Sequence, residues 1–259
     1  MAQGPEPTRE DWEAEARRLA AATDGDAESI HDGLLSFSRR HAAYADGELT
    51  PERLRLLANR AAARHLAARY CAVGYRGHYH WLDTLQDEVA DMPDPVPDPE
   101  EVGEIFLAAW DAQVAAQRSW PEETDNDRLT RAFAALNGDA VVAREDFTCC
   151  QRCAGAEIFD EIPVGSEPLG FVFFHRQDTL RAVAHGALLL GFGGFVPRAE
   201  PSSFGPRVAH APAGDAVHVA VAERAVAALQ AEGLHTAWDG SAGQRITVHL
   251  DWKRRIEAH

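Results

Sequence analysis

The sequence predicts an α+β protein: an N-terminal helical module followed by a mixed five-stranded sheet with helices packed on it. Three observations carry that expectation. The first ninety residues place apolar side chains at helical spacing. Met92-Pro93-Asp94-Pro95-Val96-Pro97-Asp98-Pro99 then holds four prolines, which favour extended chain and cannot continue a helix. From Trp120 onward, short apolar runs alternate with helical patterns. At 259 residues and 46% hydrophobic side chains, the chain can bury one large core or two ordinary ones.

In the first part, residues 8 to 22 form a helix with Trp12, Ala16 and Leu19 on one stripe, and residues 27 to 45 a second with Ile30, Leu34, Phe37 and Tyr44. Thr50-Pro51-Glu52 supplies a cap hydroxyl and a proline at the first helical position, opening a third helix that runs toward Cys71 and breaks at Gly74 and Gly77. Residues 81 to 91 make a fourth, with Trp81, Leu85 and Val89. These considerations set a helical module over 1–92, a proline-rich linker over 93–99 and an α+β domain over 100–259.

The second part opens with Asp98-Pro99-Glu100-Glu101, a cap and acidic first turn for a helix that buries Val102, Ile105, Phe106 and Trp110. Thr124-Asp125-Asn126-Asp127 fits a capping box for a helix that stops at Asn137-Gly138. A strand over 140–144 leads into a helix opened by the cysteines, and a strand over 171–174 into a short helix capped by Asp178. After a strand over 187–192, residues 195 to 213 read as a long loop rich in Pro, Gly and Ser. Asp215 caps a helix ending at Gly233, and a hairpin turning at Asp239-Gly240 closes the domain.

Charge narrows the function classes. The net charge is −16, divided equally between residues 1–100 (19 acidic, 11 basic) and 101–259 (22 acidic, 14 basic). Such a surface repels phosphate, so no nucleic acid or anionic membrane is expected as a partner. No apolar run of about 18 residues and no basic, apolar leader is visible, which makes the cytoplasm the expected location.

Phe147-Thr148-Cys149-Cys150-Gln151-Arg152-Cys153 concentrates three of the four cysteines within five residues, at a strand-to-helix junction. Helix-start N–H groups lower thiol pKa, which suits dithiol chemistry at the C-x-x-C of Cys150 and Cys153. The thioredoxin order ends in two strands and then a helix, whereas here a helix precedes the last two strands. A structural zinc site needs four ligands. Cys149, Cys150 and Cys153 supply three, and Cys71, Glu157 or His175 is the candidate fourth, with zinc the candidate ion. The plainest alternative packs the thiols as small hydrophobes.

His175 and Asp178, in Phe174-His175-Arg176-Gln177-Asp178 at a strand end, are candidate acid/base residues beside Cys150. The plainer reading has Asp178 capping the next helix. His78 and His80 sit beside aromatics in a pattern of low specificity, and Glu157, Asp160 and Glu161 fit a solvated helix face. Gly191-Phe192-Gly193-Gly194 lacks the dinucleotide register, and neither a P-loop nor a G-x-S-x-G elbow occurs.

Taken together, Trp120, the stretch from Thr124 to Leu129, the cysteine segment, Phe173 to Asp178, Trp238-Asp239-Gly240 and Trp252 resemble a bacterial, mainly actinobacterial, domain of unknown function over about residues 118–255. The pattern resembled has Gly directly after the third cysteine, whereas here Ala154 precedes Gly155. The resemblance implies no activity. Two functions follow from the residues: a non-catalytic protein that binds a protein partner or small ligand, or a thiol- or metal-dependent enzyme centred on Cys149, Cys150 and Cys153.

Overall fold

The structure, a computed structural model, describes residues 7–41, 50–200, 207–212 and 214–257. It divides by compactness into Met1–Arg118 with Arg255–His259, and Ser119–Arg254.

The first unit is helical: α1 Arg9–Ala22, α2 Ala27–His41, α3 Pro51–Val73, α4 His78–Ala90 and α5 Pro99–Ala116. Tyr44, expected on the stripe of α2, lies outside the described residues. Helix α3 packs against all four others. It can do so because Ala58, Ala61, Ala62, Ala63 and Ala67 are all buried and let neighbouring backbones approach closely. Thr50 and Asp98 cap α3 and α5, each with proline in the first turn, as their sequences predict. Helix α4 begins at His78, three residues earlier than the apolar spacing suggests, after Gly77 as its cap.

The proline segment lies inside this unit. The fully buried Asn59 of α3 donates its amide to the Pro93 carbonyl at 2.7 Å and the Pro95 carbonyl at 2.9 Å, so prolines that lack N–H groups are held by their oxygens. Arg60, one residue on, forms a paired contact with both oxygens of Glu101 in α5. The chain end returns to the same helix, with the Trp110 indole donating to the Glu257 carbonyl at 3.1 Å.

The second unit contains α6 Asp125–Gly138, β1 Val141–Arg144, α7 Gln151–Glu157 with the 3-10 turn Ile158–Glu161, β2 Gly170–Phe173 and α8 Arg176–His185. There follow β3 Ala187–Glu200, β4 Arg207–Pro212, α9 Asp215–Ala231, β5 His235–Ala237 and β6 Ile246–His249. The main sheet runs β1-β2-β3-β6-β5, and β4 pairs with the outer half of β3. Strands β1 and β2 are parallel and the remaining neighbours antiparallel, which makes the sheet mixed and the class α+β. The expected long loop over 195–213 is corrected to this hairpin: Phe195 to Glu200 extend β3 against β4. Past Gly194, among the described residues, that half of β3 pairs with β4 alone, so Pro197 sits at an edge, where a missing N–H is tolerated.

One face of the sheet carries Phe171 and Phe173, which join Phe147, Phe159, Phe195, Ala154 and Ile158 in a single apolar cluster. Those rings lie across the glycines of β3. Phe171 is opposite Gly193 and Phe173 opposite Gly191, and a Cβ at either glycine would come within 2.6 Å and 3.0 Å of the respective ring. The glycine run is therefore a packing surface. On the other face α6 covers β1 and α9 covers β2 and β3, with Phe133 edge-on to Phe174 at 5.5 Å.

Two glycine substitutions separate these effects. A Cβ at Gly170 would collide with the Gly193 carbonyl oxygen and stand 2.6 Å from Val221, so Gly170→Ala should cost roughly 1–3 kcal/mol in chemical denaturation. Gly103, inside α5 with nothing within 4 Å of an added Cβ, should instead gain about 0.5–1 kcal/mol on change to Ala.

Candidate functional site

Strand β1 runs parallel to β2, so the loops leaving their carboxyl ends, one carrying the cysteines and one carrying His175, emerge side by side. Backbone bonds hold the two loops together. Phe147 N–H donates to the Phe174 carbonyl at 2.8 Å, and Arg176 N–H to the Thr148 carbonyl at 3.2 Å. The Thr179 hydroxyl donates to the buried Asp146 carboxylate at 2.8 Å. Asp146 (φ +46°) and Thr148 (φ +57°) both sit in the left-handed region, which Asp tolerates and a β-branched Thr resists. That conformation persists because the flanking bonds over-determine it.

Beyond this turn Cys150 caps α7 with extended backbone, and Cys153 follows in the first helical turn. The three Sγ atoms lie within 4.8 Å of one another, and Cys149 donates to Cys153 at 3.4 Å. Cys149 is exposed and the other two are partly exposed. The N–H of Cys153 is the largest influence drawing the Cys150 pKa below the ordinary thiol range, followed by the thiols of Cys149 and Cys153 and then the Arg152 N–H. Cys153 is pushed up to about 11 by hydrogen bonds with Cys149 and Cys150 and by their charge. Ala154 buries its methyl completely in the phenylalanine cluster beneath.

None of the candidate fourth ligands belongs to the group of three. Cys71 is buried in α3, in the core of the helical unit, and burial pushes its thiol up to about 12. Glu157 is the exposed last residue of α7 and lies outside the group of three. His175 is the N-cap of α8: its Nδ1 accepts from Asp178 N–H at 3.3 Å, and Asp178 in turn accepts from His175 N–H. The cap is therefore His175, with Asp178 at the third helical position, where Asp178 alone was expected to serve. Burial lowers the His175 pKa, although Asp178 pulls the other way.

Asp178 has a second role that the sequence conceals. Arg245, just before β6, grips both its carboxylate oxygens and also donates to the Leu189 carbonyl at 2.8 Å, tying α8 to β3 and β6. The other motifs behave alike. Thr124 and Asp127 close the capping box of α6, which leaves Asp125 and Asn126 to accept from the backbone N–H groups of Asp251 at 2.9 Å and Lys253 at 2.6 Å. The Trp238 indole donates to the Ser241 carbonyl across the Asp239-Gly240 turn at 3.0 Å. His78 packs on Tyr79 and Trp110, and His80 on Trp81. Among the described residues, Cys149, Cys150 and Cys153 make up the one group of three or more potential metal ligands.

Alkylation of the folded protein should follow this order of acidities, because the thiolate is the nucleophile. Cys150, with its lowered pKa, should react at the lowest pH, and Cys153 should gain reactivity only as pH rises toward about 11. Cys71 should stay unmodified until the protein is unfolded. Iodoacetamide labelling across pH, read by peptide mass spectrometry, checks all three.

No curated protein and no solved structure matches the chain significantly. One family model does match, over residues 57–256, a wider span than the motif-bearing stretch, since it takes in α4, α5 and most of α3. A match across that much of the sequence places this chain in the family described as a domain of unknown function (DUF6891).

Proposed function

We propose that this chain is a non-catalytic cytoplasmic binding protein that holds a thiophilic metal ion, zinc being the first candidate, on Cys149, Cys150 and Cys153. One observation carries the reading. The polar side chains at the other motif positions serve caps, turns and ion pairs, whereas the thiols of the cysteine segment contact one another at a partly exposed strand end. Zinc–thiolate bonds of about 2.3 Å set sulfurs roughly 3.8 Å apart around a tetrahedral ion, close to the spacing of this group. All-sulfur donors select zinc or cuprous copper over magnesium or calcium.

Three protein donors leave one position for water, a small ligand or a partner's side chain, which connects the metal to a binding role. A structural zinc site would be closed by a fourth residue. The open position also suits the second reading, a metal- or thiol-dependent enzyme. In that reading His175 and Asp178 contribute rigidity, since their mutual capping and the Arg245 pair occupy the atoms that acid/base work requires. A cytoplasmic setting would keep the thiols reduced, and no helix among the described residues is long and apolar enough to cross a membrane.

Titration of reduced protein with Co²⁺ should produce thiolate-to-metal charge-transfer absorption at one equivalent, displaced by Zn²⁺. Cys149→Ser, Cys150→Ser and Cys153→Ser should each weaken binding by more than the ~10–100-fold that loss of an outer-shell partner costs. Cys71→Ser should leave it unchanged. Wild-type affinity for all three single variants would refute the site.

A further inference from the structure

We infer that Cys149 and Cys153 form a dithiol–disulfide couple that is oxidised by small-molecule disulfides, leaving Cys150 as the remaining thiol. The inference rests on the thiol site proposed above and adds its regulation: closing the bridge removes two of the three donors and ejects the ion. The sequence points to a different pair, the C-x-x-C of Cys150 and Cys153. Geometry points to Cys149, because its Sγ is 3.4 Å from that of Cys153, and about 1.4 Å of closure separates this contact from a bond of ~2.0 Å.

Backbone conformation explains why residues four apart in sequence meet. Cys150 is extended at the cap, so Cys149 precedes the helix and its side chain folds back on the first turn, where Cys153 stands. The Cys150 sulfur faces the backbone N–H groups of Cys153 and Arg152. A bridge between the adjacent Cys149 and Cys150 would close a ring through their shared peptide bond and force that bond from planarity. An adduct formed first on the more acidic Cys150 passes to Cys149 by the same exchange, since the three sulfurs lie within 4.8 Å of one another, and within the couple access sets the order of events. Cys149 is the exposed thiol of the pair and Cys153 the partly covered one, so the incoming disulfide meets Cys149 and Cys153 resolves the adduct.

The exchange balances. The Cys149 thiolate attacks one sulfur of the small disulfide, forming a mixed disulfide and releasing one thiolate. The Cys153 thiolate then attacks the Cys149 sulfur and expels the second. Two protein thiols lose two electrons and two protons, and the small disulfide gains both as two free thiols.

Mass spectrometry of the full chain tests the assignment. Metal-free reduced protein is incubated with glutathione disulfide, blocked with N-ethylmaleimide and digested with trypsin, which cuts after Arg152 and separates Cys153 from Cys149 and Cys150. The expected product is two peptides joined by one Cys149–Cys153 bridge, with Cys150 blocked. Cys150→Ser should retain the bridge and Cys149→Ser should abolish it. A Cys150–Cys153 bridge, or glutathione adducts that never resolve, would overturn the inference. In a second arm, zinc-loaded protein treated in the same way should release zinc to a chromogenic chelator and recover it after reduction. A bridge in protein that never binds metal would refute the metal reading alone; metal binding without a bridge would refute the couple alone.

Discussion

The parallel pairing of β1 with β2 is the constraint on which the rest of the sheet-bearing unit depends. A parallel neighbour requires a crossover, here the short α7 and its 3-10 turn, and it brings both strand exits to one end of the sheet. The cysteine loop can then borrow hydrogen-bond partners from the turn that starts α8. Without that neighbour, Asp146 and Thr148 would have no reason to remain at positive φ, and the three thiols would not be presented together.

Close packing beneath the loop makes the same arrangement rigid. Phenylalanines on β2 need flat ground on β3, which the alternate glycines provide, while Ala154 and Ile158 close the cluster from the crossover. Burying side chains of this size contributes about 1.5–3 kcal/mol each, so the crossover is anchored by its apolar underside even though α7 is only seven residues long. Polar chemistry is thereby confined to the outer surface, where the thiols are.

Division of labour among the polar residues follows from where each falls. His175, Asp178 and Arg245 lock one helix start to two strands; Thr124 to Asp127 both cap α6 and hold the returning tail; Trp238 closes a hairpin. Each of these groups makes its hydrogen bonds within the fold. Thiols are weak partners for backbone groups and strong ones for soft metals and for each other, which is why the cysteines stand apart from the other motif residues.

Local chemistry was enough to determine much of this protein. Helical spacing, the caps at Thr50, Asp98 and Thr124, the turn at Asp239-Gly240 and the crowding of Cys149, Cys150 and Cys153 are all properties of neighbours in sequence, so they were legible without the fold. Long-range pairing decided the rest. The β3–β4 hairpin hides in a segment whose prolines and glycines read as loop, because only its edge position makes Pro197 harmless. Proline composition marks 93–99 as a linker, while Asn59, more than thirty residues earlier, draws those carbonyls into the helical unit. In the fold His175 caps α8 together with Asp178, which Arg245 grips in turn, and an extended cap residue at Cys150 brings the Cys149 sulfur within 3.4 Å of Cys153. A sequence states which groups are available; which of them meet depends on strand order and on backbone direction at a single residue.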